Sequence, residues 1–401
     1  NFKNYISKEI IFLFFFYIFI VISSFFSEYV VHSLKSSVPY VRLILYSLCI
    51  HLILSKTEMK IPDFQKYLIV YTMIFLSIDG VFQYHFGFNL FLMSDNTSPK
   101  ISSLFGDEKI LGSFLVRLLP FLIFLLSDTK NKYLNIFVCF YIVSTAIILT
   151  GERSALLLLL VIIFFSLIYF FKYLDIKKLV TSIVTLLFLT VFLIFNSPEL
   201  KKRYIDLSIS QIKQINFSLD KENKIKIVNE GDNSEKKTIK GLGNTNIHFS
   251  NQYFAHYFSA YKMFLDKKII GHGPNNYRKL CDKKQYFFDV IQNKEWDKNK
   301  KIDYELVPQG SCSTHPHNIY AQFLSELGLV GLVFLLYAQF YLLKELFYSF
   351  KIGSKYYFVI LTLFISLWPL TTSGNFFNNW LSIIYYFPLG FYLTYKNRSK
   401  V

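Results

Sequence analysis

The sequence predicts an all-α polytopic membrane protein of about ten transmembrane helices, with one large hydrophilic loop between the seventh and the eighth. Three observations carry this reading. Of the 401 residues, 53% are hydrophobic and 19% aromatic, and mean hydropathy is +0.36. Charged residues make up only 17%, against about 25% in soluble domains. Several apolar runs reach the roughly 18–20 residues that cross about 30 Å of hydrocarbon as a helix.

Spans are expected at about 9–27, 38–55, 64–84, 113–127, 132–149, 154–171, 179–196, 317–343, 356–373 and 380–395. The first run has no small-residue cleavage site behind it and reads as a span rather than a signal peptide. The run at 113–127 is short, so the count could change by one. Three regions follow: an N-terminal bundle over 1–196, a hydrophilic loop over 197–316 and a C-terminal bundle over 317–401.

Orientation follows from the basic residues. With the N-terminus inside, the cytoplasmic segments hold sixteen lysines and arginines and the short outer loops four, namely Lys35, Lys100, Lys109 and Arg153. Both termini are then cytoplasmic and the 197–316 loop lies outside. The formal net charge of +16 suggests a polyanionic partner, although positive-inside charge and a solvated loop account for most of it. The basic residues are split between two membrane faces, so nucleic acid is not expected.

Cys49 and Cys139 fall in expected spans and read as small buried hydrophobes. Cys281 and Cys312 share the outer loop, where an oxidising compartment would join them as a disulfide; two free thiols are the alternative. Within that loop, 206–250 is polar and reads as mobile or weakly strand-forming. From Asn251 onward Tyr253, His256, Tyr257, Tyr261 and Phe264 recur at helical spacing, an aromatic stripe suited to the membrane surface. Then comes GHGPNNYRKLC. Gly271 and Gly273 mark a turn, Pro274 suits the first position of a short helix, and Arg278 projects from that helix one turn later.

Charges at membrane depth are functional candidates. Arg117 sits about a turn into a span, with snorkelling to the headgroups as the alternative. Arg153 stands at the outer rim after a tight turn, where Glu152 can hold it; a plain interfacial anchor is the alternative. The stretch from His317 to Leu343 would form about 40 Å of helix, roughly 10 Å more than the hydrocarbon needs. Gly328 and Gly331 return to the direction of His317 at 100° per residue, a strip for close helix packing. Glu326 would face away and need a partner. Pro316 suits the helix start, and Asn318 and Tyr320 add hydrogen-bonding groups near the imidazole. Alone, such a histidine is more often a satisfied interfacial residue than a catalyst. A zinc site built from His272, His315, His317 and a cysteine matches no strong zinc spacing, so no metal or other cofactor is expected.

His317-Asn318, nine residues, then Gly328-x-x-Gly331 resembles the H-[NSQ]-x9-G-x-x-G pattern of the O-antigen ligase and polymerase family. Arg153 with Leu157 is similar to that family's R-x3-L element, and GHGPNNYR to its G-x-G-x-x-x-[FY]-R turn. The resemblance runs from about Phe105 to the C-terminus. It implies a GT-C-like glycosyltransferase of the bacterial inner membrane with its large loop periplasmic. The implied donor is a glycan on undecaprenyl pyrophosphate. The implied acceptor is a lipid A–core sugar, for a ligase, or a second carrier-linked glycan, for a polymerase. It implies that His317 is the general base and that Arg153 and Arg278 bind the pyrophosphate, with Arg117 next in line and His315 turning the chain or lining the acceptor site.

Chemistry points the same way. Transfer from a pyrophosphate needs a cationic partner for the leaving group, and the outer face shows no Asp/Glu cluster for a metal, so guanidinium groups would serve. A neutral imidazole can take the acceptor proton, and in-line attack predicts inversion. A transporter would instead spread charges along mid-span positions and show a repeat between halves; neither is present. Protein O-glycosylation is a variant with a Ser or Thr acceptor.

Overall fold

A computed structural model of the chain describes residues 7–57, 61–93, 100–209, 251–293, 304–309 and 312–398. The greater part of 206–250 lies outside them, and with it the expectation of a mobile tract.

The N-terminal bundle comprises α1 (Lys8–Phe25), α2 (Val30–Ser37), α3 (Val41–Lys56), α4 (Asp63–Phe86), α5 (Leu111–Leu126), α6 (Lys132–Leu149), α7 (Arg153–Phe171) and α8 (Ile176–Asn196), with the short α9 (Pro198–Lys201) following. The loop region contributes α10 (Asn251–Asp266) and α11 (Tyr277–Leu280). The C-terminal bundle is α12 (Ile319–Lys351), α13 (Tyr357–Ser366) and α14 (Asn379–Arg398). Phe15, Phe164, Phe188 and Phe340 are exposed on the outer surfaces of their helices, as expected where lipid rather than water is the neighbour.

Helices overlap all ten expected spans, but the number fit to cross a membrane is smaller. Among the described residues six are long and apolar enough, with α2 and α3 together forming one of them. A seventh results if α8 and the segment after it, bent by 102°, are counted as one span. The helices α5 and α13 have only 16 and 10 residues. Every residue of α13 is buried, and so is most of α5. A helix that is apolar all round belongs inside, and these two form the centre of the bundle, packed on each other.

Three further expectations are corrected. The run expected to cross over 356–373 stops being helical at Ser366, and the following residues form an irregular polar segment. The all-α expectation misses a hairpin in the loop, in which β1 (Phe288–Asn293) pairs antiparallel with β2 (Tyr304–Gln309). Cys49 is exposed rather than buried.

The aromatic stripe expected on α10 is divided between its packed and its outward face. Ala255, His256, Ser259, Ala260 and Met263 are the buried residues, while Tyr261 is exposed. Small residues let α10 lie close against α12.

The helix α12 is not one continuous rod. Asn318, not Pro316, caps it, its side chain accepting from the backbone N–H groups of Tyr320 and Ala321. At Gly328 the backbone turns to φ 63° and ψ −159°, breaking the helix. The chain just before and within the GHG turn fills the break. Leu329 N–H donates to Lys268 O at 2.8 Å and Val330 N–H to Ile269 O at 3.2 Å, while His272 and Gly273 N–H donate to Ser325 O and Glu326 O at 3.1 and 2.7 Å. Irregular backbone at membrane depth is tolerated where protein satisfies it in this way. A Cβ on Gly328 would lie 2.4 Å from Ile269 O, and one on Gly271 would lie 2.4 Å from the Glu326 carbonyl carbon. The approach at Gly328 is therefore made by the backbone of a turn, not by another helix. Gly331 leaves room for the Leu327 side chain, whose Cβ would be 2.2 Å from an added methyl.

Candidate active site

A cavity of about 1040 Å³ opens at the end of the bundle where α5, α7 and α12 begin. Arg117, Arg153, Arg278, His315, His317 and Asn318 all line it. Residues from four distant parts of the chain thus meet, and each is placed by identifiable contacts.

Arg278 rides on the single turn of α11. Pro274 lies in the preceding turn rather than in the helix, which starts at Tyr277. The Tyr277 N–H donates to the buried Glu326 carboxylate at 3.0 Å, and Gln322 Nε2 donates to its other oxygen at 2.9 Å. Glu326 therefore has its partners, and they fix α11 to α12. At the other end of α11 Cys281 is joined to Cys312 by a disulfide, with Cα atoms 5.0 Å apart. This link ties the Arg278 turn to the strand of chain that leads into His315 and His317.

His317 precedes the cap of α12 and takes φ 56°, a left-handed conformation that costs a histidine about 1 kcal/mol. Its carbonyl accepts from Ser373 N–H at 2.9 Å. Asn318 Nδ2 donates to Pro369 O at 2.9 Å and Thr371 O at 3.3 Å, so the polar segment after α13 holds the histidine loop. His315 is bound at both nitrogens: Nε2 donates to Ser373 O at 3.0 Å, and Nδ1 accepts from Thr314 Oγ1 at 2.8 Å. A carbonyl can only accept, so the His315 proton is on Nε2. The His317 ring lies 4.3 Å from that of His315 and 5.1 Å from that of His256, centroid to centroid. Burial, and then the neighbouring His256, lower the His317 pKa from 6.5 to about 4. Burial and His317 lower that of His315 to about 3. Both imidazoles are neutral at neutral pH.

Arg117 is 2% exposed and does not snorkel. Its Nη1 donates to Ser113 O at 3.0 Å and its Nη2 to Thr372 O at 3.5 Å. Arg153 is the first residue of α7, directly after a turn in which Gly151 has φ 66°. The Glu152 carboxylate accepts from Gly112 N–H, Ser113 N–H and Ser113 Oγ at 3.0, 3.1 and 2.8 Å. It caps α5 and so locks the α6–α7 turn to the helix that carries Arg117.

The cavity also contains what the sequence did not single out. Arg203, in the bent segment after α9, donates to Gly151 O at 3.4 Å. Lys100, Lys109, Tyr257 and Trp380 line the wall, as do Thr371, Thr372, Ser373 and Asn375. The six basic side chains face two acidic ones, Glu108 and Glu152, which gives the space a net positive lining. Burial, followed by repulsion from Arg203, lowers the Lys100 pKa.

A family model described as O-antigen ligase matches residues 136–336, half of the chain. That stretch carries Arg153, Arg203, Arg278 and His317, all on one cavity. The chain belongs to the O-antigen ligase family. No curated protein matches it. As a member of the O-antigen ligase family it is a multi-pass membrane protein of glycosyltransferase type. Arg117 and the polar segment after α13 lie outside the matched stretch, yet both belong to the cavity.

Some residues singled out for this O-antigen ligase site do not reach the cavity. Tyr320 Oη donates to Leu367 O at 3.1 Å, and Gly271 and Gly273 underpin the Arg278 turn. Among the described residues, no three His, Cys, Asp or Glu side chains come together as a metal site. Two signals could have found the missed residues. The chain has 43 basic residues, of which only six are arginines, and four of those six line the cavity. In a lysine-rich chain, arginine itself marked the site, Arg203 included. Likewise the run TTSGN, residues 371–375, follows and partly overlaps a segment read as apolar.

Proposed function

We propose that the protein transfers a glycan from undecaprenyl pyrophosphate to a sugar hydroxyl of lipid A–core, at the periplasmic face of a bacterial inner membrane. The observation that carries this reading is the meeting of His317 with Arg117, Arg153 and Arg278 on one cavity. The neutral His317 imidazole takes the proton of the acceptor hydroxyl. The oxygen then attacks the anomeric carbon from the side opposite the pyrophosphate. The bond from that carbon to the leaving oxygen breaks, and its electron pair goes to the pyrophosphate, which Arg153 and Arg278 hold. One attack from the opposite side inverts the anomeric centre. Guanidinium forks suit this role because they grip two oxygens and stay charged. General base catalysis contributes about 10²–10⁴ in rate, and preorganised cations at the leaving group contribute the remainder.

The test is direct. Purified protein is incubated with undecaprenyl-pyrophosphate glycan and lipid A–core, and separately with donor alone. Glycan on lipid A–core supports a ligase, whereas longer carrier-linked chains from donor alone make it a polymerase. His317→Ala should abolish transfer with the protein still in the membrane. Normal transfer by that variant removes the mechanism.

A further inference from the structure

His256 is a polar residue on a face built for close packing. It lies on α10 with Ala255, Ser259, Ala260 and Met263, and all five are buried. An imidazole enclosed in this way gives up its hydration, a cost that its small and apolar neighbours avoid. Its backbone is fixed at two points. Ser259 Oγ donates to Tyr286 O at 2.9 Å, and the Tyr277 hydroxyl donates to the His256 carbonyl at 3.2 Å. The second bond ties this part of α10 to the turn that carries Arg278. The His256 ring in turn reaches His317. Their centroids are 5.1 Å apart with the planes inclined by 49°, and His315 meets the same His317 ring at 4.3 Å and 52°. His315 is itself bound at both nitrogens. The His317 ring therefore touches two imidazoles, one anchored on α10 and one in its own loop. The contact with His256 is also electrical, because after burial it is His256 that lowers the His317 pKa. The cavity is lined by the next residue, Tyr257, and not by His256, so His256 acts on the site through His317.

We propose that His256 is a positioning residue for the base: by ring contact it holds the His317 imidazole in the orientation that meets the acceptor hydroxyl. The proposal rests on the glycan-transfer reading and adds to it a second histidine that touches neither substrate. A base is productive only when held within about 0.5 Å of its working place, and a misplacement of about 1 Å costs about 10²-fold in rate. The contact is made by the ring as a whole. A phenyl ring at position 256 would keep it, whereas a methyl group or a carboxamide would not.

The experiment compares His256→Ala, His256→Asn and His256→Phe in the full chain in nanodiscs, with undecaprenyl-pyrophosphate glycan and lipid A–core as substrates. His256→Ala and His256→Asn should lower kcat by about tenfold to a hundredfold, with KM for both substrates within about threefold of wild type. His256→Phe should recover most of that loss. A second readout does not depend on transfer. The chain has eight histidines, so the His317 ring signals in a histidine-labelled NMR spectrum can be assigned by their loss in His317→Gln. They should form a single set in wild type and in His256→Phe, and broaden or split in His256→Ala and His256→Asn. A raised KM with kcat unchanged, recovery by asparagine but not by phenylalanine, or an unaltered His317 signal in His256→Ala overturns the proposal. Should His256→Ala fail to fold, His256→Asn against His256→Phe decides by the same two readouts. If the wild type transfers no glycan, the glycan-transfer reading fails instead, and the ring signals still decide whether His256 holds His317.

Discussion

The Glu326 carboxylate accepts the Tyr277 backbone N–H at 3.0 Å, so a buried acid on a membrane helix caps the turn that carries Arg278. Replacing Glu326 by alanine leaves that N–H and the Gln322 amide without their acceptor. Each unsatisfied buried donor costs about 1–3 kcal/mol. Glu326→Ala should therefore melt well below wild type in a detergent thermal scan, and Glu326→Gln, which keeps an acceptor oxygen, should lie between the two. A Glu326→Ala protein with the wild-type melting temperature would show that α11 is held by other contacts.

The pH profile follows from His317. As the proposed base His317 acts when neutral, and burial and then His256 lower its pKa to about 4. Protonation removes the base, so kcat/KM should stay level from pH 8 to about 5 and fall by half near pH 4. A break near 6.5 would indicate a solvated imidazole. Stability has the same sign. In the unfolded chain the imidazole takes up its proton at about 6.5, so folding stability is full above that pH and declines as pH falls from there towards 4. His317→Gln should flatten part of that decline.

Gly328 is required by both its backbone angle and its neighbour. Alanine there must adopt φ 63° with its methyl 2.4 Å from Ile269 O. With ψ −159° this is a backbone region that essentially only glycine occupies, costing a side chain about 1–3 kcal/mol, and the clash adds to it. Gly328→Ala should lower the melting temperature and loosen the loop region, read as faster amide exchange at Leu329 and Val330. Exchange rates equal to wild type would show that the break has another origin.

The Cys281–Cys312 disulfide closes a loop with a sequence separation of 31, which stabilises by roughly 2–4 kcal/mol. Reduction, or Cys281→Ser with Cys312→Ser, should lower the melting temperature and reduce transfer, because Arg278 and His317 flank the link. Unchanged transfer after full reduction would mean that the Glu326 contact alone aligns them.

Much of this architecture was legible because hydropathy records which segments avoid water. It does not record whether protein or lipid covers them, and so α5 and α13 read as spans although both lie in the centre of the bundle. The break in α12 was illegible for a related reason. Helical periodicity placed Gly328 and Gly331 on one face of a straight helix, but the backbone of residues 268–273, some sixty positions earlier, opens the helix at Gly328. His317, Arg153 and Arg278 could be picked out because each stands in a short motif, His317-Asn318 before Gly328 and Gly331, Arg153 before Leu157, and Arg278 at the end of GHGPNNYR. Lys100 carried no local sign, since a lysine in a loop is ordinary until the fold encloses it.

The brevity of α13 has a consequence for where the reaction takes place. Ten residues make about 15 Å of helix, half the thickness of the hydrocarbon slab. If the end of α13 next to Lys355 sits at one headgroup plane, Ser366 lies near the bilayer's midline, and the polar segment after it runs from there to the His317 loop. The cavity that this segment lines is then sunk below the membrane surface. A lipid-tethered sugar would not have to be lifted out of its leaflet to react.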